Sequence, residues 1–510
     1  MNRRNFLTTS ALALPGLRLR AQTAAAPILL SLPEVANGPT MPDDFVGLSY
    51  ELQQLTDPAF FSSANTGLIA QFRALSSHGV LRLGGNTSEF ADWTPRPGAP
   101  EPVHPAIRES EGEPKAQFYP VTPKAVENLG DFLRATGWTC LYGINLGTNT
   151  PERAADEAAF VARTLGSRLQ YFQIGNEVDL FSRHLRDPKT WSVKAYLDEW
   201  LKVARAIEAK VPGAKFGMPD VASDVSWLTR IAELWPSVTN PPAVTTLSHH
   251  HYFGGPATNP EVNIPNLLSA KAAAKVRQTA LQADAAARTM KARVRMTEGN
   301  TCYRGGKPGV SDVFAAALWS ANYALLLATN NYSGVNLHGG TGKSVANSVG
   351  GFLPGDVMLA EEGKTPAEIA AHPHPFYTPI GTFGDRYELE PVAYGLRFAG
   401  AFSGGRLFET DFAPALAASG VNATVYAAML PGGARSFIVL NRDAEKDLPL
   451  TLDFNSGGER LQMEAMTAAS LSSRTVQVTS SVSAAKGRRL GVVVPRASAM
   501  RVTLGGSATA

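Results

Sequence analysis

Cysteine is nearly absent: Cys140 and Cys302 are the two in 510 residues. That excludes a disulfide-rich scaffold and a thiolate metal centre, because a tetrahedral site needs three or four converging ligands. A single bridge between them stays open. Both end apolar runs, WTCLYGINL and RMTEGNTCY, where cysteine packs as a small hydrophobe, so two free buried thiols are the favoured reading. Charge of one sign is scarce too. A net charge of +3, with 18% charged residues, leaves no electrostatic footprint for DNA or RNA. No run beyond the N-terminus reaches the roughly 18 apolar residues that span a bilayer, so no membrane association is expected. No repeat of solenoid length is visible, and nothing sets the oligomeric state.

At 44% hydrophobic, a chain of this length can bury a large core. Residues 1–26 resemble a twin-arginine export leader: Arg3-Arg4-Asn5-Phe6-Leu7, a short apolar stretch to Leu17, then Arg18, Arg20 and small residues. A periplasmic or secreted location follows as an expectation. Eight segments then read as short buried strands: Phe45–Tyr50, Val80–Leu83, Thr139–Asn145, Tyr171–Ile174, Lys215–Met218, Thr245–His250, Arg293–Thr297 and Gly334–Leu337. Amphipathic stretches alternate with them, among them Thr122–Thr136, Glu152–Leu165, Trp191–Lys210 and Ala270–Lys291. Eight such units predict an α/β chain folded as a (β/α)8 TIM barrel over residues 43–395.

From about Leu396 the helix signals fade, and short alternating segments separated by Gly, Pro, Asn and Ser predict an all-β sandwich domain over 396–510. Its expected strands are Ala423–Met429, Ser436–Leu440, Leu448–Phe454, Arg474–Val478 and Gly491–Val494. Too few strands leave an exposed edge, so Ile28–Leu32, within residues 27–42, is expected to pair into this domain. The tail after Leu504 reads as disordered. Two insertions rich in Pro and Gly, Pro95–Pro120 and Gly339–Thr382, are too long for connectors and are expected to wall the barrel mouth.

Chemistry concentrates at strand ends. Tyr171-Phe-Gln-Ile-Gly-Asn176-Glu177 is a strand closing in an amide and a carboxylic acid, which a barrel would hold over its mouth. Val294-Arg-Met-Thr-Glu298-Gly repeats the pattern on the seventh strand. Taken alone, a strand-end glutamate is as readily a surface carboxylate or a helix cap. Two of them on the fourth and seventh strands fit glycosidic bond cleavage, which needs one carboxyl to protonate the leaving oxygen and another to attack or to activate water.

With these motifs the chain resembles the clan A retaining glycosidases, and within them glycoside hydrolase family 79, the β-glucuronidase and heparanase group. The likeness runs from about Asp44 into the C-terminal domain. It implies Glu177 as acid/base and Glu298 as nucleophile, about 5–5.5 Å apart as retention requires. It further implies that Asn176 donates to the sugar 2-hydroxyl, that Arg82 in Leu81-Arg-Leu-Gly-Gly-Asn86 keeps Glu298 charged, and that Tyr252 donates to the nucleophile. Glu51 and Asn86 match positions that bind sugar hydroxyls. Tyr303, Gly305 and Gly306, in the loop after Glu298, resemble the place where the family receives the C6 carboxylate; a glycine-rich turn turns backbone N–H groups toward an anion. By the same resemblance Tyr377 is expected as a further carboxylate donor, and His338 is a subsite candidate that is as readily a packed core histidine.

His249-His250-His251 could suggest a metal, but consecutive residues on a strand face opposite sides. No metal and no cofactor are expected; one of the three histidines is expected to order Glu177 or Glu298 by hydrogen bonding. Basic clusters of the heparanase kind are absent. The expected activity is therefore exo-acting, a retaining β-glucuronidase removing terminal β-linked glucuronic acid or its 4-O-methyl ether. The alternatives are an exo β-glucosidase, an endo-acting heparanase-like hydrolase and a catalytically silent carbohydrate-binding protein.

Overall fold

A computed structural model describes residues 26–99, 102–485 and 487–505. The expected export leader, up to residue 25, and the tail from 506 lie outside them.

Eight parallel strands close into a barrel in chain order: Val46–Glu51, Val80–Gly84, Thr139–Ile144, Leu169–Ile174, Lys215–Val221, Ala243–Gly254, Arg293–Cys302 and Tyr332–Gly339. Every neighbouring pair is parallel, the last strand pairing with the first. The chain is thus a TIM barrel carrying an additional β-domain. Because helices cover the outside and side chains fill the inside, the strands are buried on both faces; Val46–Glu51 and Val80–Gly84 are buried at every position.

The four expected helices form with local stop and start signals. Pro123–Thr136 and Pro151–Leu165 begin on Thr122 and Thr150 caps with proline in the first turn, and Val193–Lys210 and Ala270–Thr289 begin on Ser192 and Ser269. Phe314–Thr329 is apolar around almost its whole circumference. It needs to be, since Pro391–Gly400 packs along it and the last two barrel strands, the helix Ala270–Thr289 and, to a lesser extent, the β-domain strand Arg435–Asn441 cover other faces.

That neighbour corrects the expected boundary at 395/396. The helix Pro391–Gly400 runs straight through it and belongs to the barrel layer, so the β-domain starts later. In that domain a six-stranded antiparallel sheet runs in the order Arg406–Leu407, Ala423–Met429, Arg435–Asn441, Ser498–Leu504, Arg460–Thr467, Gln477–Ala484. A second sheet holds Ile28–Ser31, Leu448–Asp453 and Arg489–Val494, with Ile28–Ser31 parallel to Leu448–Asp453. Leu30, Phe437, Leu450 and Val502 lie in the shared core. The strand expected at Arg474–Val478 instead occupies Gln477–Ala484; exposed along its whole length, it carries no buried face to show in the sequence. Arg460–Thr467 and Ser498–Leu504 were not anticipated, because charged residues interrupt their alternation.

The two insertions meet. A Cβ on Gly350 would lie 3.6 Å from the Glu113 carbonyl oxygen, and the Arg304 guanidinium lies directly against Gly112, so a Cβ there would require Arg304 to move. Cys140 and Cys302 are both free and buried.

Candidate active site

At the C-terminal rim the barrel gathers Glu177, Glu298 and the polar side chains between them. One carboxylate oxygen of each glutamate and a ring nitrogen of His250 lie within 4.8 Å of one another. Glu177, three residues past its strand, sits in the left-handed region, φ 50° and ψ 45°, which costs a residue with a Cβ about 1–2 kcal/mol. Its N–H donates to the Asp220 carbonyl at 2.7 Å, which holds it there.

Arg82 is the hub. Its Nη1 donates to Glu298 Oε2 at 2.6 Å and to Ser49 Oγ at 3.0 Å; its Nη2 donates to Asn176 Oδ1 and Asp220 Oδ2, each at 2.5 Å. The Gly84-Gly85 pair of the second strand end makes room. A Cβ on Gly84 would meet the Arg82 guanidinium carbon at 2.3 Å, and one on Gly85 would meet Glu51 Oε2 at 2.2 Å. The Tyr252 hydroxyl donates to Glu298 Oε1 at 2.8 Å, and His338 Nδ1 is 3.7 Å from Glu298 Oε2.

The two carboxyls titrate in opposite directions. Burial raises Glu177, more than its hydrogen bond from His250 lowers it, and the charge of Glu298 adds to the rise. Burial also works to raise Glu298, but the pull of His338, His250 and Arg82 and the Tyr252 hydrogen bond outweigh it, and the group sits well below the usual carboxylate range. One carboxyl is built to keep a proton and the other to lose it.

Asp220 is a residue that sequence reasoning missed. Fully buried, it accepts from Arg82, from the Thr297 hydroxyl and, at 3.2 Å, from His250 Nε2. His250 Nδ1 in turn reaches Glu177 Oε1 at 3.0 Å. A signal existed: Asp220 stands at the C-terminal end of the fifth strand, Lys215–Val221, where the chain turns toward the barrel mouth, as Glu177 stands just beyond the fourth. Burial depresses His250, but Asp220 and Glu298 outweigh that and raise it to about 10. Both ring nitrogens are engaged and protonated, so the Glu177–His250–Glu298 cluster offers a cation no free imidazole lone pair and fits a metal poorly. The other two histidines face elsewhere. His249 Nε2 pairs with the Tyr332 hydroxyl at 2.7 Å, and His251 stacks on Tyr323.

Two further acids went unnoticed in the sequence. Glu89 accepts from the N–H groups of Asn176, Leu146 and Gly147, which fixes the loop before Glu177. Glu113, from the first insertion, is buried and pushed up to about 7 by burial and by Glu177.

The remaining expected residues fall as follows. Asn176 Nδ2 donates to Asn86 Oδ1 at 2.9 Å, and Asn86 Nδ2 donates to the Ser348 carbonyl, tying the second strand end to the second insertion. Glu51 is largely occupied within the protein: Oε2 accepts from the Thr87 N–H and hydroxyl, and Oε1 is 3.2 Å from His338 Nε2. Tyr377 packs beside Tyr252 with ring centroids 6.1 Å apart, and Tyr303, partly exposed, stands edge-on to Tyr252 at 6.3 Å. Gly305 and Gly306 have φ of 90° and 88°; a Cβ on Gly306 would lie 2.7 Å from the Tyr377 backbone nitrogen.

No protein-family model matches the chain. Two curated proteins described as β-glucuronidases, from Aspergillus niger and Neurospora crassa, are each 26% identical to it, over 353 and 357 residues. These alignments cover 63% and 62% of this chain and 63% and 60% of the relatives, so the match spans less than two thirds of either. Among solved structures, a 4-O-α-L-rhamnosyl-β-D-glucuronidase from Fusarium oxysporum superposes with a TM-score of 0.70 at 16% identity, over 94% of this chain and 100% of that one. An α-L-arabinofuranosidase from Thermotoga maritima gives 0.62 at 13%, over 94% and 99%. A β-xylosidase from Caulobacter crescentus gives 0.58 at 14%, over 94% and 100%. At these identities the structures share the fold: a barrel with an attached β-domain.

Proposed function

We propose that this chain is a retaining, exo-acting β-glucuronidase of clan A, family 79, removing terminal β-linked glucuronic acid or its 4-O-methyl ether. The observation that carries the reading is the close approach of Glu177 and Glu298, with carboxylate oxygens inside 4.8 Å. One oxygen of each that close is in keeping with the about 5–5.5 Å spacing of a retaining pair rather than the about 6.5–9.5 Å of an inverting one, and suits a covalent intermediate. The β-glucuronidase relatives favour the glucuronide over a neutral sugar.

In the first step Glu298 attacks the anomeric carbon while Glu177 gives its proton to the leaving oxygen; the glycosidic C–O bond breaks as the glycosyl ester forms. In the second, Glu177 takes a proton from water, the water oxygen bonds to the anomeric carbon, and Glu298 leaves as carboxylate. Asn176 has one amide hydrogen left for the sugar 2-hydroxyl after donating to Asn86. The turn at Tyr303, Gly305 and Gly306, with Tyr377 behind it, would receive the C6 carboxylate. Export through the paired-arginine leader belongs to the same proposal, and fractionation of cells expressing the full chain with Arg3 and Arg4 replaced by lysine tests it.

Aryl β-glucuronide and aryl β-glucoside, which differ at C6 alone, test the substrate. The glucuronide is expected to be strongly preferred, and preference for the glucoside would overturn the uronate reading. Gly306→Ala is expected to lower kcat/KM for aryl glucuronide by about tenfold or more, chiefly through KM, because a Cβ at positive φ presses on the Tyr377 backbone. An unchanged KM would detach this turn from the carboxylate.

His250 gives a prediction in pH. Its hydrogen bond and charge lower the Glu177 carboxyl, so His250→Gln should move the alkaline limb of kcat/KM to higher pH. Stability follows the same group. Since its folded value lies above the free histidine value of about 6.5, the stability it contributes is complete below that pH. It is lost as pH rises through about 10. Urea unfolding at both ends of that window should show wild type falling further than His250→Gln.

A further inference from the structure

Outside the barrel, where the β-domain meets the helices, a cleft of about 490 Å³ opens between the helix Ala270–Thr289, the short helix Ala413–Ala417 and the strand Ala423–Met429. Its floor holds Arg442, 5% exposed. Among the described residues no carboxylate pairs with this guanidinium, and its Nε is buried with no hydrogen-bond partner. Buried arginines are ordinarily held by carboxylates, because an isolated charge removed from water is expensive. Burial indeed pulls its pKa down, with the Tyr426 hydroxyl as the one ionisable neighbour raising it.

The other polar side chains of the cleft already have partners. Thr424 Oγ1 and the Tyr426 hydroxyl both donate to Asn322 Oδ1, at 2.7 and 3.0 Å, and Asn422 Nδ2 donates to the Leu268 carbonyl at 2.9 Å. Arg277, on the helix wall, makes no ion pair or hydrogen bond among the described residues and also acts on Tyr426. Two guanidiniums are therefore left to face one cleft, along with alanine and leucine side chains.

We propose that this cleft binds a small anionic molecule through a carboxylate, sulfate or phosphate group seated on Arg442, with Arg277 as the second cationic contact. A planar guanidinium with unspent donors matches two oxygens of such a group at once, and the apolar wall would take a short hydrocarbon body. The site is separate from the barrel mouth, so it stands whatever sugar the catalytic carboxyls act on. Bridging the barrel helices and the β-domain, the anion would tie the two layers together and raise thermal stability by binding the folded state.

Isothermal titration of the full chain with sodium sulfate and, separately, with succinate tests this, at ionic strength held constant with chloride. Saturable binding of either probe is expected, with a matching rise in Tm, abolished in Arg442→Met and weakened at least about tenfold in Arg277→Ala. Glu298→Gln should bind as wild type does. Sulfate alone would mark a mineral-anion site, succinate alone an organic-acid site, and both the shared chemistry. No saturable binding by wild type, undiminished binding in Arg442→Met, or loss in Glu298→Gln with retention in Arg442→Met would overturn the proposal. If Arg442→Met does not fold, Arg277→Ala decides alone: unweakened binding rejects the site.

Discussion

Replacing Glu298 with alanine is expected to abolish hydrolysis of aryl β-glucuronide by several orders of magnitude, leaving the fold intact. The reason lies in what the neighbours do with this carboxyl. Arg82, His250, His338 and Tyr252 all act to keep it ionised and aimed into the cavity, so no other group can take its place in the first step. Glu177→Ala should also fail, but differently. With a good aryl leaving group the glycosyl ester still forms, and the missing base then stalls its hydrolysis. Azide, which needs no base, should restore turnover of that variant and release the β-glycosyl azide. In Glu298→Ala azide would occupy the nucleophile's face and give the α-glycosyl azide. Product configuration, read by nuclear magnetic resonance, separates the two roles. Release of the α-azide by Glu177→Ala would reverse the assignment, and rapid turnover by either variant without azide would end it.

Arg82→Met is expected to lower stability to urea by about 3–5 kcal/mol, the cost of breaking a buried pair by removing one partner. Around the site Asp220 and Glu298 both pair with the Arg82 guanidinium, and His250 adds a second positive group beside Asp220. Taking Arg82 away removes the positive charge that the two carboxylates share, in a place with almost no water. The Glu298 carboxyl should then rise, moving the acid limb of kcat/KM to higher pH as well as lowering the rate. A loss under about 1 kcal/mol, well below the usual cost of such a pair, would mean that the arginine is dispensable to this pairing.

The legible part of the molecule is the part written in short-range pattern. Thr122 before Pro123 and Ser192 before Val193 announce helices because a cap and the first turn are neighbours in the chain. The eight barrel strands show as apolar runs because each is covered on both faces. Gln477–Ala484 did not show, since a strand with no buried face has no period to display. Glu177 and Glu298 were found by the strand-end rule, while Asp220 satisfies the same rule and was passed over for want of a partner in view. Its partners Arg82 and Thr297 stand 138 and 77 positions away.

From sequence alone came the barrel, the attached β-domain and the two glutamates that follow apolar strand runs, all consequences of periodicity and of residues adjacent in the chain. Tertiary structure alone decided the ionisation of those glutamates, the Asp220–His250 link to Glu177 and the burial of Arg442 in its cleft with no carboxylate partner among the described residues. Each of these depends on how much water is excluded and on which charges from distant segments are brought within a few ångströms, quantities that no local pattern encodes.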